Sequence, residues 1–280
     1  MHFFSFVGVL LICRVSLAGL VLDVSYSGNP AYESAFTGAK ATWESLLSGY
    51  QDGLITDATI NSSYVAGQTI SSVFVSASVA PIDNAGSILA QAGPTELALD
   101  ASGFFLTTDG ALTIDSFDVA ALHAAGMLES VVTHEIGHIL GFGSLWNLNN
   151  VYVSGSGEFT GANATAAWQS EFGQLGTPDV ELEGGPGTAN GHWNEVLNGA
   201  ALTGITDSLG RDMRDELMTG WANPNSFISD MTVASFVDIG FTATPVPEPS
   251  SLLALSAIAL FGTARRKGLF RTRSDTTTVA

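Results

Sequence analysis

The segment VVTHEIGHILGFGSLW, residues 131–146, constrains this chain more than any other stretch. Val131, Val132, Ile136, Ile139 and Leu140 recur at helical spacing, and Gly141 supplies a helix stop. Positions four apart on a helix differ by about 40°, so His134 and His138 project from one face and can share one metal ion. Imidazole nitrogens bind zinc at about 2.0–2.1 Å. Glu135 follows about 100° round, toward the rim of that face, where a carboxylate takes a proton from water instead of ligating. Such a helix needs one side in a core, one edge open to a cleft, and a third ligand brought from elsewhere.

Few side chains can be that third ligand. The compact pattern H-E-x-x-H-x-x-G-x-x-H is satisfied through Gly141 but places Ser144, a poor zinc ligand, at its last position. His2 lies in the N-terminal apolar segment, and His123 lies on the preceding predicted helix. Glu158 and Glu171 are the carboxylate alternatives. His192, in GTANGHWNEV, follows a glycine-rich loop without helical periodicity, which suits a side chain delivered from across a cleft. It is the favoured third ligand, with His123 and the two glutamates as alternatives.

The surrounding body reads as α+β. A strand is predicted over Asp23–Ser27, then a helix through Ala35, Ala39, Trp43, Leu46 and Leu47 with Gly49 as its stop. Ile70, Val73, Val75 and Val79 alternate as a strand closed by Pro81. Short strands at Leu97–Leu99 and Gly103–Leu106 precede an expected Asp109-Gly110 turn. Two helical runs follow, capped at Asp115 or Ser116 and divided at Gly126. Beyond Asn147 the chain turns loop-rich, with short helices predicted over Ala164–Phe172 and after a Ser229 or Asp230 cap, where Val233, Phe236 and Val237 form an apolar face. The expected layout is a sheet-bearing N-terminal lobe, a central helix and a loop-rich C-terminal lobe. The cleft is then bounded by residues of about 19–141 and 142–244.

Both ends point outward across a membrane. Phe3–Cys13 is apolar and Ser16-Leu17-Ala18 offers small residues for cleavage, so residues 1–18 read as a secretory signal. At the other end, Val-Pro-Glu-Pro, an apolar run Leu252–Phe261 and the cluster Arg265, Arg266, Lys267 follow in order. About ten apolar residues make a helix of about 15 Å, half of a hydrocarbon core. This order resembles the PEP-CTERM sorting signal over 245–267, with a basic and polar tail over 268–280. The resemblance implies an exosortase-type processing enzyme as a partner and transient C-terminal anchoring. It also implies export across a bacterial inner membrane to the surface, the matrix or the medium. Between the ends only Lys40, Arg211 and Arg214 oppose 25 acidic residues, a formal charge near −22 that repels nucleic acid and anionic lipid. The sole cysteine, Cys13, lies inside the expected signal, so the mature chain is expected to carry no disulfide.

Three separated phrases carry a further resemblance. His134–Gly143, Gly191-His192-Trp193 and Asp215-Glu216-Leu217-Met218 resemble the leishmanolysin family of metzincin zinc peptidases, over about Phe36–Phe241. The resemblance implies a zincin fold, a catalytic zinc on His134, His138 and His192, Glu135 as general base, and Met218 in the turn beneath the metal. An inserted segment between the glycine turn and His192 explains why Ser144 is not a ligand. The implied activity is endopeptidase cleavage of a protein or peptide substrate by zinc-activated water. The chain departs from eukaryotic members in having no cysteine for disulfides or for latency. The competing reading is a surface or matrix binding protein that keeps the fold without catalysis; the glutamate between the two histidines favours the enzyme. Structural calcium beside zinc is compatible with the many aspartates, although TTDGALTIDSFD lacks the spacing of a calcium loop.

Overall fold

Runs of small and β-branched residues supply a five-stranded sheet. Its strands, in hydrogen-bonded order, are β1 (Leu22–Tyr26), β4 (Val73–Ala80), β6 (Phe105–Asp115), β5 (Ala90–Asp100) and β3 (Ile55–Ile60). β1, β4 and β6 run parallel, while β5 and β3 are antiparallel to their neighbours. The helices are α1 (Glu33–Leu46), α2 (Val119–Ala124), α3 (Leu128–Leu140), α4 (Ala162–Glu171) and α5 (Asp230–Val237). A second, two-stranded sheet pairs β2 (Leu47–Tyr50) with β7 (Phe241–Ala243). The architecture is α+β with a mixed sheet. This computed structural model describes residues 19–60, 64–70, 72–195 and 201–244; the expected signal, the sorting segment and the tail lie outside the described residues.

The sheet and α1 together hold α3. Thr107 on β6 donates its hydroxyl to the Ile139 carbonyl at 2.7 Å. Beside it the helix comes so close to the strand that a Cβ on Gly110 would lie 2.4 Å from the Ile139 side chain. From the other helix, the fully buried Trp43 donates its indole N–H to the Thr133 carbonyl at 2.8 Å. Trp43 also meets Phe236 of α5 edge-on, so the same side chain ties α1, α3 and α5 together.

Several sequence expectations change at this point. Asp109-Gly110 is not a turn: Asp109 pairs with Phe74 and Glu96, and Gly110 with Val75 and Pro94, in the middle of β6. The glycine there clears room for Ile139 of α3. The two short strands expected at 97–99 and 103–106 are the ends of two eleven-residue strands that meet at Gly103. Gly49 does not stop α1; it lies in β2, where the pairing with β7 shifts register. Asp115 does not cap α2, whose N-cap is Asp118. Its carboxylate instead accepts the backbone N–H groups of Ile82, Asp83 and Phe117, which fastens the loop after β4. Ser229 does cap α5, accepting from the Thr232 N–H at 3.0 Å.

Glu171 joins α4 to the first turn of α5 by accepting the Met231 N–H at 3.0 Å. Burial pushes its carboxyl up from 4.5 to about 7, with the charges of Asp230 and Glu216 adding to the shift and the Met231 and Asp230 N–H groups opposing it. Between those values the folded chain keeps a proton that the unfolded chain releases, so this carboxyl's contribution to folding weakens as pH rises through the window. Glu171→Gln retains an acceptor for Met231 but does not titrate. Its urea midpoint is expected to drop less than the wild type's between about pH 5 and about pH 7.5, and equal drops would refute the assignment.

Candidate metal centre

Local helix periodicity sets two histidines and tertiary packing supplies the third. On α3, His134 and His138 are half-buried on one face, while Val132, Ile136, Ile139 and Leu140 of the same helix are fully buried. Gly141, at φ 122°, ends the helix, and Gly143, at φ 70°, redirects the chain against the loop that carries His192. A Cβ on Gly143 would lie 2.5 Å from the Gly191 carbonyl oxygen, so only glycine permits this approach.

Trp193 anchors the His192 loop. It is fully buried, its ring centroid 5.0 Å from Phe142, 5.1 Å from Trp146 and 5.3 Å from Phe159. Its backbone N–H donates to the Met218 carbonyl at 3.0 Å, and its indole N–H to the Thr232 hydroxyl at 2.8 Å. The residue next to the third histidine is therefore fixed on both its backbone and its side chain.

The three Nε2 atoms converge, His134 to His138 at 2.9 Å and each of these to His192 at 3.1 Å. Each Nδ1 faces a backbone carbonyl: His134 that of Leu217 at 2.7 Å, His138 that of Phe142 at 2.9 Å, and His192 that of Thr188 at 2.9 Å. A carbonyl only accepts, so each Nδ1 carries the proton and each neutral ring turns an Nε2 lone pair toward the other two. Burial, and for His134 and His192 also the neighbouring imidazoles, lowers the pKa of all three, that of His192 to about 3. Three facing lone pairs repel one another unless a cation lies among them. Their spacing fits one ion at about 2.0–2.1 Å from each nitrogen, and a three-imidazole donor set suits zinc. Among the described residues this is the one cluster of three or more His, Cys, Asp or Glu whose ligand atoms all lie within 4.8 Å of one another.

Glu135 sits on α3 between the two helical histidines, 7% exposed, and burial pushes its carboxyl up to about 8. Met218 is fully buried and packs its thioether on α3, where a Cβ on Gly137 would lie 2.9 Å from both Sδ and Cε. The other third-ligand candidates lie elsewhere. His123 is exposed on α2 and meets Tyr32 edge-on. Glu158 pairs with Asp179 through an isolated backbone β-bridge, Glu171 serves α5, and the Ser144 hydroxyl donates to the His138 carbonyl at 2.7 Å. The Tyr152 hydroxyl is hydrogen-bonded to Asn190, and Trp221 is half exposed just past Met218. Sequence reasoning missed the carbonyls of Leu217, Phe142 and Thr188, because a backbone acceptor has no residue-type signature.

Residues 245–267 match the PEP-CTERM protein-sorting motif. The motif implies recognition by an exosortase-type processing enzyme, and marks an exported protein with a C-terminal membrane-anchoring sorting signal. Among the described residues no helix is long and apolar enough to cross a membrane. No curated protein matches the chain.

Two outcomes are expected from this geometry. Elemental analysis of the purified chain should find about one zinc per molecule, lost in His192→Ala; a variant that keeps its zinc would place the third ligand elsewhere. Gly143→Ala should lower stability by about 1–3 kcal/mol in urea unfolding, through a strained φ and a clash with the Gly191 backbone, and should weaken zinc binding.

Proposed function

We propose that this exported chain is a zinc-dependent endopeptidase of the leishmanolysin-like metzincin type, with His134, His138 and His192 as zinc ligands and Glu135 as general base. The observation that carries the reading is the set of three Nε2 lone pairs facing one another at 2.9–3.1 Å, with a buried carboxylate on the same helix turn. The Met218 contact on Gly137, the residue before His138, and the mixed sheet behind α3 agree with it.

Zinc held by the three neutral imidazoles of His134, His138 and His192 would supply a Lewis acid that makes water more acidic and polarises a carbonyl. The protein's own residues do the rest. His134, His138 and His192 stay unprotonated at Nε2 because each Nδ1–H is committed to a carbonyl. In its ionised form Glu135 takes the proton from the attacking water as that water adds to the peptide carbonyl, then returns it to the leaving amine. Burial makes Glu135 more basic than an exposed glutamate, which favours the first transfer and leaves an acid strong enough for the second. Export, which the sorting motif marks, supports the reading by giving the site access to proteins outside the cytoplasm.

The purified chain is expected to hydrolyse an unfolded, fluorescently labelled protein, to stop on chelation and to resume when zinc is restored. Glu135→Gln should retain its zinc and lose about 10²–10⁴-fold in kcat/KM. A wild type that holds one zinc but cleaves neither the protein nor a peptide library would instead mark a binding protein built on the same site.

A further inference from the structure

Glu216 is the most deeply buried carboxylate near the metal centre, with no exposed surface. It lies just past a short 3-10 turn at Met213–Asp215, two residues before Met218. Every partner it has is a donor. Oε2 accepts the Met218 N–H at 2.6 Å. Oε1 accepts the Ser229 N–H at 3.0 Å, the Ser229 hydroxyl at 2.9 Å and the Thr232 hydroxyl at 2.6 Å. Both hydroxyls have their acceptor side occupied, Ser229 by the Thr232 N–H and Thr232 by the Trp193 indole N–H, so their protons point at the carboxylate. Burial raises this carboxyl's pKa, and the donors from Thr232, Ser229 and Met218 offset only part of that rise. An all-donor environment is what an ionised carboxylate satisfies and a protonated one does not.

The Met218 N–H belongs to the same peptide group as the Leu217 carbonyl, and that carbonyl accepts the His134 Nδ1–H at 2.7 Å. A single peptide group therefore stands between the carboxylate and a zinc-ligand candidate, with its N–H on one and its C=O on the other. The second oxygen reaches toward another ligand. Thr232 receives the indole of Trp193, and Trp193 is the neighbour of His192.

Resting on the zinc reading above, we propose that Glu216 is a positioning residue of the metal centre. Its charge, relayed through the Leu217–Met218 peptide, polarises the carbonyl that orients His134, while its link through Thr232 holds the arm that presents His192. A negative charge on the N–H side of a peptide strengthens the carbonyl as an acceptor, because hydrogen bonds in a chain polarise one another. A stronger acceptor on Nδ1–H makes Nε2 a better donor to a metal, as carboxylates hydrogen-bonded directly to ligand histidines do. Here the carboxylate acts at one remove, so its role does not show as a contact with any ligand ring.

The test is zinc affinity, measured on the full chain by competition with a chromogenic chelator, beside urea unfolding of the metal-free protein. Glu216→Gln keeps the size and an acceptor but removes the charge, and is expected to bind zinc about 10–100-fold more weakly. Asp212→Asn is the control. Asp212 is another buried acid in the same segment that accepts from Thr203, Gly204 and Arg214 and touches neither arm. It is expected to lose stability with zinc affinity unchanged within about twofold, since it is outside the relay. If both variants lose stability while zinc affinity holds, Glu216 is only a structural cap for α5 and the proposal falls. If the wild type itself binds no zinc, the metal reading falls first, and the two failures are distinct. Should Glu216→Gln not fold, the Met218 amide proton of the wild type carries the test by NMR. It should move downfield as zinc loads His134 and tightens the N–H contact to Glu216; a resonance that zinc leaves unmoved overturns the relay.

Discussion

Three imidazole nitrogens brought within 2.9–3.1 Å of one another set the terms for the rest of this structure. Facing lone pairs at that distance are unfavourable without a cation, and rings free to turn would relieve the repulsion by rotating. They cannot turn, because each Nδ1–H is held by a carbonyl from a different place: the end of α3, the glycine-rich loop before His192, and the turn at Leu217. The protein thus commits three separate pieces of backbone to a single arrangement of three rings. Burial keeps those rings neutral, which is the form that ligates.

That commitment accounts for much of the packing around the site. α3 must be rigid, and it is gripped at Thr133 by Trp43, at Ile139 by Thr107, and at Gly137 by Met218. The His192 loop must be equally rigid although it has almost no regular structure. Phe142, Trp146, Phe159 and Trp193 supply that rigidity as an aromatic cluster, with pairs in tilted or edge-on contact. Such pairs contribute about 0.5–1.5 kcal/mol each beyond their buried area. Large apolar groups can hold a loop where strand or helix hydrogen bonds are missing, provided that polar handles such as the Trp193 indole find a partner.

The acidic composition acquires a structural meaning in the same region. Several carboxylates do not meet cations at all but receive backbone N–H groups: Asp115 in the loop after β4, Asp212 before the 3-10 turn, Asp238 at the start of α4, and Glu216 at the turn of Met218. With three cationic residues in the body, such donors are the main available partners for buried acids. In the loop-rich half of the chain these carboxylates do the work that strand pairing does elsewhere.

Much of the site was legible in the chain because helix geometry is local. The placement of His134, Glu135 and His138 on one helix, and its end at Gly141, followed from a period of 3.6 residues and needed no tertiary knowledge. A cap at Ser229 or Asp230, of which the structure uses Ser229, and the ordered signals of the sorting segment were local in the same way. Pairing over long sequence separations was not legible: β2 with β7, and the continuous strands β5 and β6, depend on partners that the local pattern does not name. Asp109-Gly110 shows why, since a dipeptide with turn chemistry is held in a strand where the missing Cβ makes room for Ile139. His192 stood out in the sequence by elimination and by resemblance, but what brings it to the pair on α3 is Trp193 in its aromatic cluster and Gly143 against Gly191. The sequence by itself determined which residue types could hold a metal and set two of them on one helix face. Only the tertiary structure decided how the third arrives and which carbonyls and carboxylate orient the rings, because those partners are backbone atoms and buried neighbours that fold packing alone brings together.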